Sequence, residues 1–241
     1  MTEAQEYYYK SIDITPDLYI PIIRRLRLLN IAFVVAPYEA DAQLGFLSRN
    51  NYVDFVITED GDSLVYGCRC VLFKLDNGIG EEIDMNRLSQ CKSLDFCGWT
   101  HDMFTYMCVL SGCDYLPRLH NIGIITAYQL VNLGRKPSAI FEQLRMKTEV
   151  SSDYEMGFLR AVFTFRHQTV YDPSLGKTVP LLPYPQNMNS LPTDYVGEHF
   201  SIEEGSGIAN GMINPISHRP YESKECEVME VEEASSSLKS G

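Results

Sequence analysis

Acidic side chains in apolar surroundings are the feature that most constrains the fold of this 241-residue chain. They lie in three short segments, APYEADAQL, FVITEDGDSLVY and VLSGCDYL. An apolar frame places such a segment in or beside a core, where an isolated anion is costly. Two like charges about 4 Å apart repel by about 4 kcal/mol at an effective dielectric of about 20. If the fold brings these acids together, divalent cations are the simplest way to offset their charge.

The acids of these segments form a set that we call the acidic cluster. Its five members are Glu39, Asp41, Asp60, Asp62 and Asp114. Carboxylate oxygens are hard ligands that favour Mg²⁺ or Mn²⁺, which indicates metal-assisted chemistry on phosphates.

Each segment also has an ordinary explanation of its own. Acids after residue 38 suit a helix N-terminus, the Asp-Gly-Asp run suits a turn, and Asp114 suits a cap or a buried hydrogen bond. A shared metal site explains all three segments with one cause. An EF-hand does not fit, because DGDSLVYGC lacks the ligand spacing and the closing Glu.

The hydrophobic pattern predicts an α/β fold with a parallel sheet. Buried strands are expected at 31–35, 53–58 and 70–75, with a helix at about 38–50 between the first two. Ligands gather at the carboxyl ends of parallel strands, and the first four acids follow the first two predicted strands. A helix is expected from Pro16 after an N-cap at Thr15, with a kink or delay at Pro21. Further helices are expected at 100–113, at 123–133 with Gly134 as the stop, from Pro137, and at 153–168.

Composition excludes several classes of protein. A hydrophobic content of 45% suits one sizeable core. No apolar run approaches the about 18 residues of a membrane span, and the seven cysteines without CxxC, together with the absence of HExxH, indicate reduced thiols and no zinc site. The net charge of −12 is concentrated in residues 186–241, which hold 10 acidic and 3 basic side chains, so it does not exclude a nucleic-acid partner.

The motifs, taken in order, resemble the flap endonuclease and xeroderma pigmentosum G superfamily of structure-specific nucleases. The matching stretches are YEADAQ at 38–43, TED at 58–60 with Asp62, and SGCDY at 111–115. YMCVLSGCDYL and FLRAVFTFRHQTVYDP resemble the exonuclease 1 branch, and the resemblance covers about residues 11–185. It implies a PIN-like parallel-sheet nuclease core with the acidic cluster as catalytic and metal-binding residues.

The resemblance also implies a function. The expected enzyme is a 5′-to-3′ DNA exonuclease or 5′-flap endonuclease of DNA repair, working with two Mg²⁺ ions for which Mn²⁺ can substitute. Its expected partners are duplex DNA with a 5′ end, nick or flap, and mismatch-repair proteins, and its expected location is the nucleus.

Residues 111–131 resemble the helix–two-turn–helix element that holds duplex DNA through a potassium ion. The matching positions are Ser111, Arg118, Ile122 and Gly123. Asn121 stands where the family has Gly, and Asn tolerates a positive φ better than most residues. An ordinary helix–loop–helix connection is the alternative.

The family's N-terminal region has no counterpart in this sequence. That region carries two further metal-binding aspartates and a Lys/Arg gateway, which Asp13, Asp17 and Arg24 do not match. We therefore expect a nuclease core incomplete at its N-terminus (1–110), a helical DNA-binding region (111–185) and a disordered acidic tail (186–241), which is either solvated or a docking segment for partner proteins. Two functions follow: a nuclease impaired in this chain, or a catalytically silent DNA- or protein-binding remnant.

Overall fold

The structure, a computed structural model, describes residues 16–186 and 193–221. Its elements in chain order are α1 (Pro16–Leu28), α2 (Ala40–Arg49), β1 (Val56–Ile57), α3 (Asp62–Val65), β2 (Cys70–Asp76), β3 (Ile79–Asp84), a 3-10 helix (Met85–Gln90), α4 (His101–Ser111), α5 (Ile124–Gly134), α6 (Pro137–Arg145), α7 (Ser152–His167), β4 (Thr169–Asp172), β5 (Lys177–Pro180), α8 (Thr193–Val196) and α9 (Ile202–Ala209). Within these ranges, none of the helices combines the length and the apolar character needed to cross a membrane. The predicted mixed α/β architecture is confirmed.

Residues 56–84 contain a three-stranded sheet in the order β1-β2-β3. Strands β1 and β2 pair in parallel with Val56 opposite Val71, as the alternation of strands and helices predicted. Strand β3 was not predicted, and it returns antiparallel to β2. The turn between them contains Asn77 and Gly78 with φ of 49° and 80°. An Asn-Gly pair is a strong hairpin signal, so the sequence did carry this information.

The prediction of a buried strand at 31–35 is wrong. These residues have no regular secondary structure and join no sheet, and Ile31 is 49% exposed. The Val35 amide donates to the carbonyl oxygen of Ala209 at 2.9 Å. Among the described residues no strand pairs with this segment. Its β-branched side chains favour a strand, but a strand also needs a neighbouring backbone with which to pair.

Helices α4, α5, α6 and α7 enclose what we call the helical core. Its largest fully buried side chains include Leu110, Leu130, Ile140, Phe141, Leu144, Phe158 and Phe165. The rings of Phe141 and Phe158 meet edge to face with centroids 5.2 Å apart. Each buried side chain of this size stabilises the fold by about 1.5–3 kcal/mol, so this region supplies a large share of the apolar driving force.

Local signals set the ends of these helices close to the predicted positions. Thr100 and Ser151 are N-caps whose side chains accept hydrogen bonds from Met103 and Tyr154 amides. Helix α5 ends with Gly134 as its last helical residue, one residue beyond the predicted end at 133, and Arg135 in the left-handed conformation is the C-cap. A Cβ on Gly134 would lie 2.6 Å from the Ile140 nitrogen, so this glycine allows α5 and α6 to approach closely.

The prediction of a disordered tail from residue 186 is wrong for residues 193–221. Helix α9 packs against β4 and β5, and its Ile208 is fully buried. The sequence GSGIANG resembles a linker, but Gly207 and Gly211 lie where a Cβ would meet Ile213 and Ile23 at 2.5 Å and 3.0 Å. Glycine therefore serves close packing here. The remainder of the predicted tail, 222–241, lies outside the described residues, as does Thr15, the predicted N-cap; Pro21 lies inside α1 without ending it.

Candidate functional site

The members of the acidic cluster lie on three loops or helix starts. Glu39 is the N-cap residue of α2, and Asp41 is in the first turn of that helix. Asp60 and Asp62 follow β1, at its carboxyl end, and Asp114 follows α4. The influence of the other four acids on Asp62 indicates that the ends of these three elements lie near one another. The sheet argument does not account for this grouping, because the strand expected before Glu39 does not form.

The ordinary explanations for these acids hold only in part. Glu39 makes no side-chain cap hydrogen bond although it occupies the N-cap position. Asp114 is exposed, which excludes the buried alternative. Asp60 does serve its turn, because its Oδ1 accepts the Asp62 amide hydrogen bond at 2.9 Å. The turn therefore fixes the backbone of the Asp-Gly-Asp run and leaves the Asp62 carboxylate free to face the cluster.

Electrostatics shows that the five carboxylates act on one another. The pKa of Asp62 is raised to about 6, first by burial and then by the negative charges of the other four members. Burial, Asp60 and Glu39 raise the pKa of Asp41. The fold thus concentrates negative charge around Asp62. No basic side chain is among the groups that shift its pKa.

The donor set suits a hard divalent cation, since all five members offer carboxylate oxygens. In the described part of the chain, however, no three His, Cys, Asp or Glu side chains are close enough in their present positions to hold a metal ion together. The five acids suit a divalent cation, because all of them offer carboxylate oxygens and because their negative charges act on one another. Ligation would require the side chains to converge further.

Two side chains outside the predicted set position helix α2. The buried Gln43 amide donates to the Tyr171 carbonyl oxygen at 2.9 Å and accepts from the Tyr171 amide at 2.8 Å. The Tyr38 hydroxyl accepts from the Glu198 amide at 2.8 Å, and its ring stacks on Phe200 at 5.7 Å. Gln43 and Tyr38 belong to the quoted motif, but sequence reasoning gave them no role because their partners lie more than a hundred residues away.

A pair of tyrosines also lies beside the acidic cluster. The hydroxyls of Tyr66 and Tyr115 hydrogen-bond to each other. Burial raises the pKa of both, and the charges of Glu39 and Asp62 add to this. Both hydroxyls therefore remain protonated, and since one of them donates to the other, one hydroxyl proton is left to donate beside the carboxylates.

The predicted DNA-binding positions lie along the connection between α4 and α5. Ser111 is the last residue of α4, and its hydroxyl donates back to the Met107 carbonyl oxygen at 2.7 Å. Arg118 is exposed and packs against Gly112, whereas Ile122 is only 3% exposed. Gly123 is the N-cap of α5 and has open space where a Cβ would be.

The turn before α5 survives the departure from the Gly-Ile-Gly pattern. Asn121 adopts a φ of 62°, which Asn tolerates. The Ile122 amide donates to the Leu119 carbonyl oxygen at 3.1 Å. The open N-terminus of α5 is thus free to face a phosphate.

The comparison with known families and sequences identifies relatives of this chain. The XPG I-region family matches residues 30–114, which contain the whole acidic cluster. Exonuclease 1 of Danio rerio is 41% identical over 221 residues, covering 89% of this chain and 27% of the relative. Exonuclease 1 of Oryza sativa subsp. japonica is 40% identical over 223 residues, covering 92% and 27%. The chain thus spans about a quarter of the length of these curated relatives.

Solved structures show the same fold at lower identity. Flap endonuclease-1 from Methanococcus jannaschii aligns with a TM-score of 0.52 and 21% identity, over 89% of this chain and 63% of that one. The catalytic core of Rad2 in complex with DNA substrate aligns with a TM-score of 0.55 and 18% identity, over 82% and 70%. Residues 30–114 thus belong to the XPG I-region family, and most of the chain is similar to exonuclease 1.

Proposed function

We propose that this chain forms part of a structure-specific 5′-to-3′ DNA exonuclease or 5′-flap endonuclease of DNA repair that hydrolyses phosphodiesters with two Mg²⁺ ions, for which Mn²⁺ can substitute. The observation that carries the proposal is the position of the five acids, at the start of α2, at the carboxyl end of β1 and after α4. Burial and then the charges of the other four carboxylates raise the pKa of Asp62 there. These acids lie within the matched XPG I-region. Such a concentration of like charge is unfavourable unless cations compensate it.

The acidic cluster would hold the metal ions through its carboxylate oxygens. When bound, divalent cations supply an activated water and compensate the charge that develops on the leaving oxygen. The protein's own contribution is to hold the carboxylates in place. Gln43 and Tyr38 fix the start of α2, and the Asp60 turn fixes Asp62.

Duplex DNA would bind along the α4–α5 connection. The N-terminus of α5 offers free backbone amides beside Gly123, where no side chain blocks a phosphate. We propose that backbone groups near Ser111 and Ile122 would hold a potassium ion, which would supply positive charge for a DNA phosphate, and that Arg118 contacts a phosphate directly. Such contacts position the duplex without reading its sequence.

A catalytically silent DNA- or protein-binding remnant is the second candidate. The observation that favours it is that no three potential ligands of the described residues converge on one point. In that case the chain would bind duplex DNA or a protein partner without cleaving DNA.

Cleavage of a labelled duplex with a nick or a 5′ flap, in Mg²⁺ or Mn²⁺, tests the two candidates. We expect metal-dependent cleavage that falls at least about 100-fold in Asp62→Asn, because the metal ions supply several kcal/mol of transition-state stabilisation. Asp62→Asn keeps the shape of the side chain, whereas Asp60→Ala also removes the turn hydrogen bond.

Asp54→Asn is the matched control. It removes an exposed acid close to β1 but outside the cluster, and cleavage should be unchanged. Duplex binding without any cleavage by the folded chain would mean either the silent remnant or a nuclease that is impaired in this chain. Equal losses in Asp62→Asn and Asp54→Asn would contradict a role for the cluster.

The cellular setting is part of the same proposal. We propose that the protein acts in the nucleus with mismatch-repair proteins, which rests on the resemblance to exonuclease 1. Exclusion of a fluorescently tagged chain from the nucleus would contradict this location.

A further inference from the structure

A second charged site lies at the opposite end of α2 from the acidic cluster. A cavity of about 350 Å³ opens between the C-terminal end of α2, the turn at 67–69, the 3-10 helix and the start of α4. We call it the arginine cavity, because Arg49 and Arg69 line it together with His101 and with the polar residues Asn86, Ser89 and Thr100. Asp41 and Arg49 lie near opposite ends of helix α2, so about 12 Å of helix separates them.

The charge around the cavity is positive. None of the described residues that line it is acidic. Burial lowers the pKa of Arg49, and the charges of Arg166 and Arg69 lower it further, while Asp102 acts in the opposite direction. The Asp102 carboxylate already binds Arg166. Arg49 and Arg69 also line a neighbouring cavity that contains Asp172. Three guanidinium groups thus outnumber the two carboxylates near them.

The two arginines are held in place by their surroundings. The Arg49 guanidinium lies against Gly67, where a Cβ would be 2.4 Å from Nη1, and the φ of +94° at this glycine also disfavours any side chain. The backbone amide of Arg69 donates to the Ser48 hydroxyl at 3.0 Å, and its guanidinium hydrogen-bonds to Asn51. Both positive groups are thus fixed at the cavity before any ligand arrives, which reduces the entropy that binding costs.

Helix α4 adds a favourable dipole. Its first residues, Thr100 and His101, line the cavity, and the N-terminus of a helix carries partial positive charge. His101 itself is occupied, since its Nε2 pairs with the Val65 carbonyl oxygen at 2.9 Å, and burial lowers its pKa. The ligand-binding groups are therefore the guanidinium groups, supported by the helix.

We propose that the arginine cavity binds a phosphate group through Arg49 and Arg69. A guanidinium presents a planar fork of donors that matches a phosphate bidentately. The ligand is a phosphate-bearing anion, either a free small molecule or the backbone of a nucleic acid. This site is separate from the acidic cluster and does not depend on nuclease activity.

Calorimetric titration of the purified chain with inorganic pyrophosphate in EDTA tests the proposal, because without divalent cations the acidic cluster repels the probe. We expect saturable binding that weakens about tenfold or more in Arg69→Gln, since hydrogen bonds to charged groups are lost. Arg49→Lys keeps the charge but loses the fork, and we expect a smaller weakening. A thermal melt of each variant checks that it is folded.

Arg87→Gln is the matched control, because Arg87 lies on the neighbouring 3-10 helix, bonds to Gln90 and does not line the cavity. Absence of saturable binding, or equal weakening in Arg87→Gln and Arg69→Gln, would overturn the proposal. Competition with a nicked duplex then identifies the phosphate source. Displacement of pyrophosphate points to a nucleic-acid backbone, and no displacement points to a free phosphate compound.

Discussion

The acidic cluster and the helical core lie next to each other, but their charges and packing affect stability in opposite directions. In the helical core, Phe158 and Leu110 are fully buried among other apolar side chains. In the acidic cluster, the half-buried Asp62 faces four like charges that raise its pKa. The first region therefore stabilises the folded chain, and the second destabilises it in the absence of a ligand.

Helix α4 connects the two regions. Val109 and Leu110 anchor its last turn in the core with no exposed surface, and Leu116 is buried two residues after Asp114. The Cys113 and Leu116 backbones pair with each other around that acid. A carboxylate can be held near other carboxylates because buried neighbours on both sides fix its backbone. The comparison shows that the stability of the helical core offsets the repulsion within the acidic cluster.

Phe158→Ala should show the largest effect on stability. Removing a fully buried aromatic ring costs about 3–5 kcal/mol of unfolding free energy, because transfer and cavity terms add. Urea denaturation measures it. Leu159→Ala, at a neighbouring position that is 42% exposed, is the control and should cost clearly less. Similar losses at both positions would mean that the helical core is not the main source of stability.

Bound divalent cations should turn the acidic cluster from a destabilising into a stabilising contribution to the unfolding free energy. Mg²⁺ at about 100 times its dissociation constant should raise the unfolding free energy by about 2.7 kcal/mol, because it binds the folded state. Thermal denaturation with and without Mg²⁺ measures this increment. It should persist in Asp54→Asn and disappear in Asp62→Asn. Without cations, Asp62→Asn should melt no lower than the unchanged chain, because it removes one of the repelling charges. A lower melting temperature would contradict the comparison.

Two glycines at opposite ends of α5 give the smallest and sharpest test. Gly134→Ala should cost about 1–3 kcal/mol, since the new Cβ would meet the Ile140 backbone at 2.6 Å. Gly123→Ala has open space and should leave the unfolding free energy almost unchanged. If the α5 N-terminus contacts DNA, however, Gly123→Ala should weaken duplex binding, measured by fluorescence anisotropy. Unchanged binding would contradict the proposed contact at Gly123.

Much of the helical half could be predicted from the sequence. The caps Thr100 and Ser151, and Pro137 at the start of α6, lie where local rules expect them. The position of Asp60 and Asp62 after a strand was also predicted, whereas the strand expected before Glu39 does not form. The hairpin at Asn77-Gly78 was also readable and was overlooked. These features depend on neighbours within a few residues, which is the range that local patterns report.

The sequence by itself determined the helices, their ends and the acids available for a site. Only the tertiary structure decided that residues 31–35 join no sheet, that the stretch before residue 222 folds back onto β4 and β5, and that Gln43 fixes α2 through Tyr171. It also decided that Arg49 and Arg69 meet at one cavity. The physical reason is range: a strand needs a neighbour and a buried amide needs a partner, and both are supplied by residues far away in the chain.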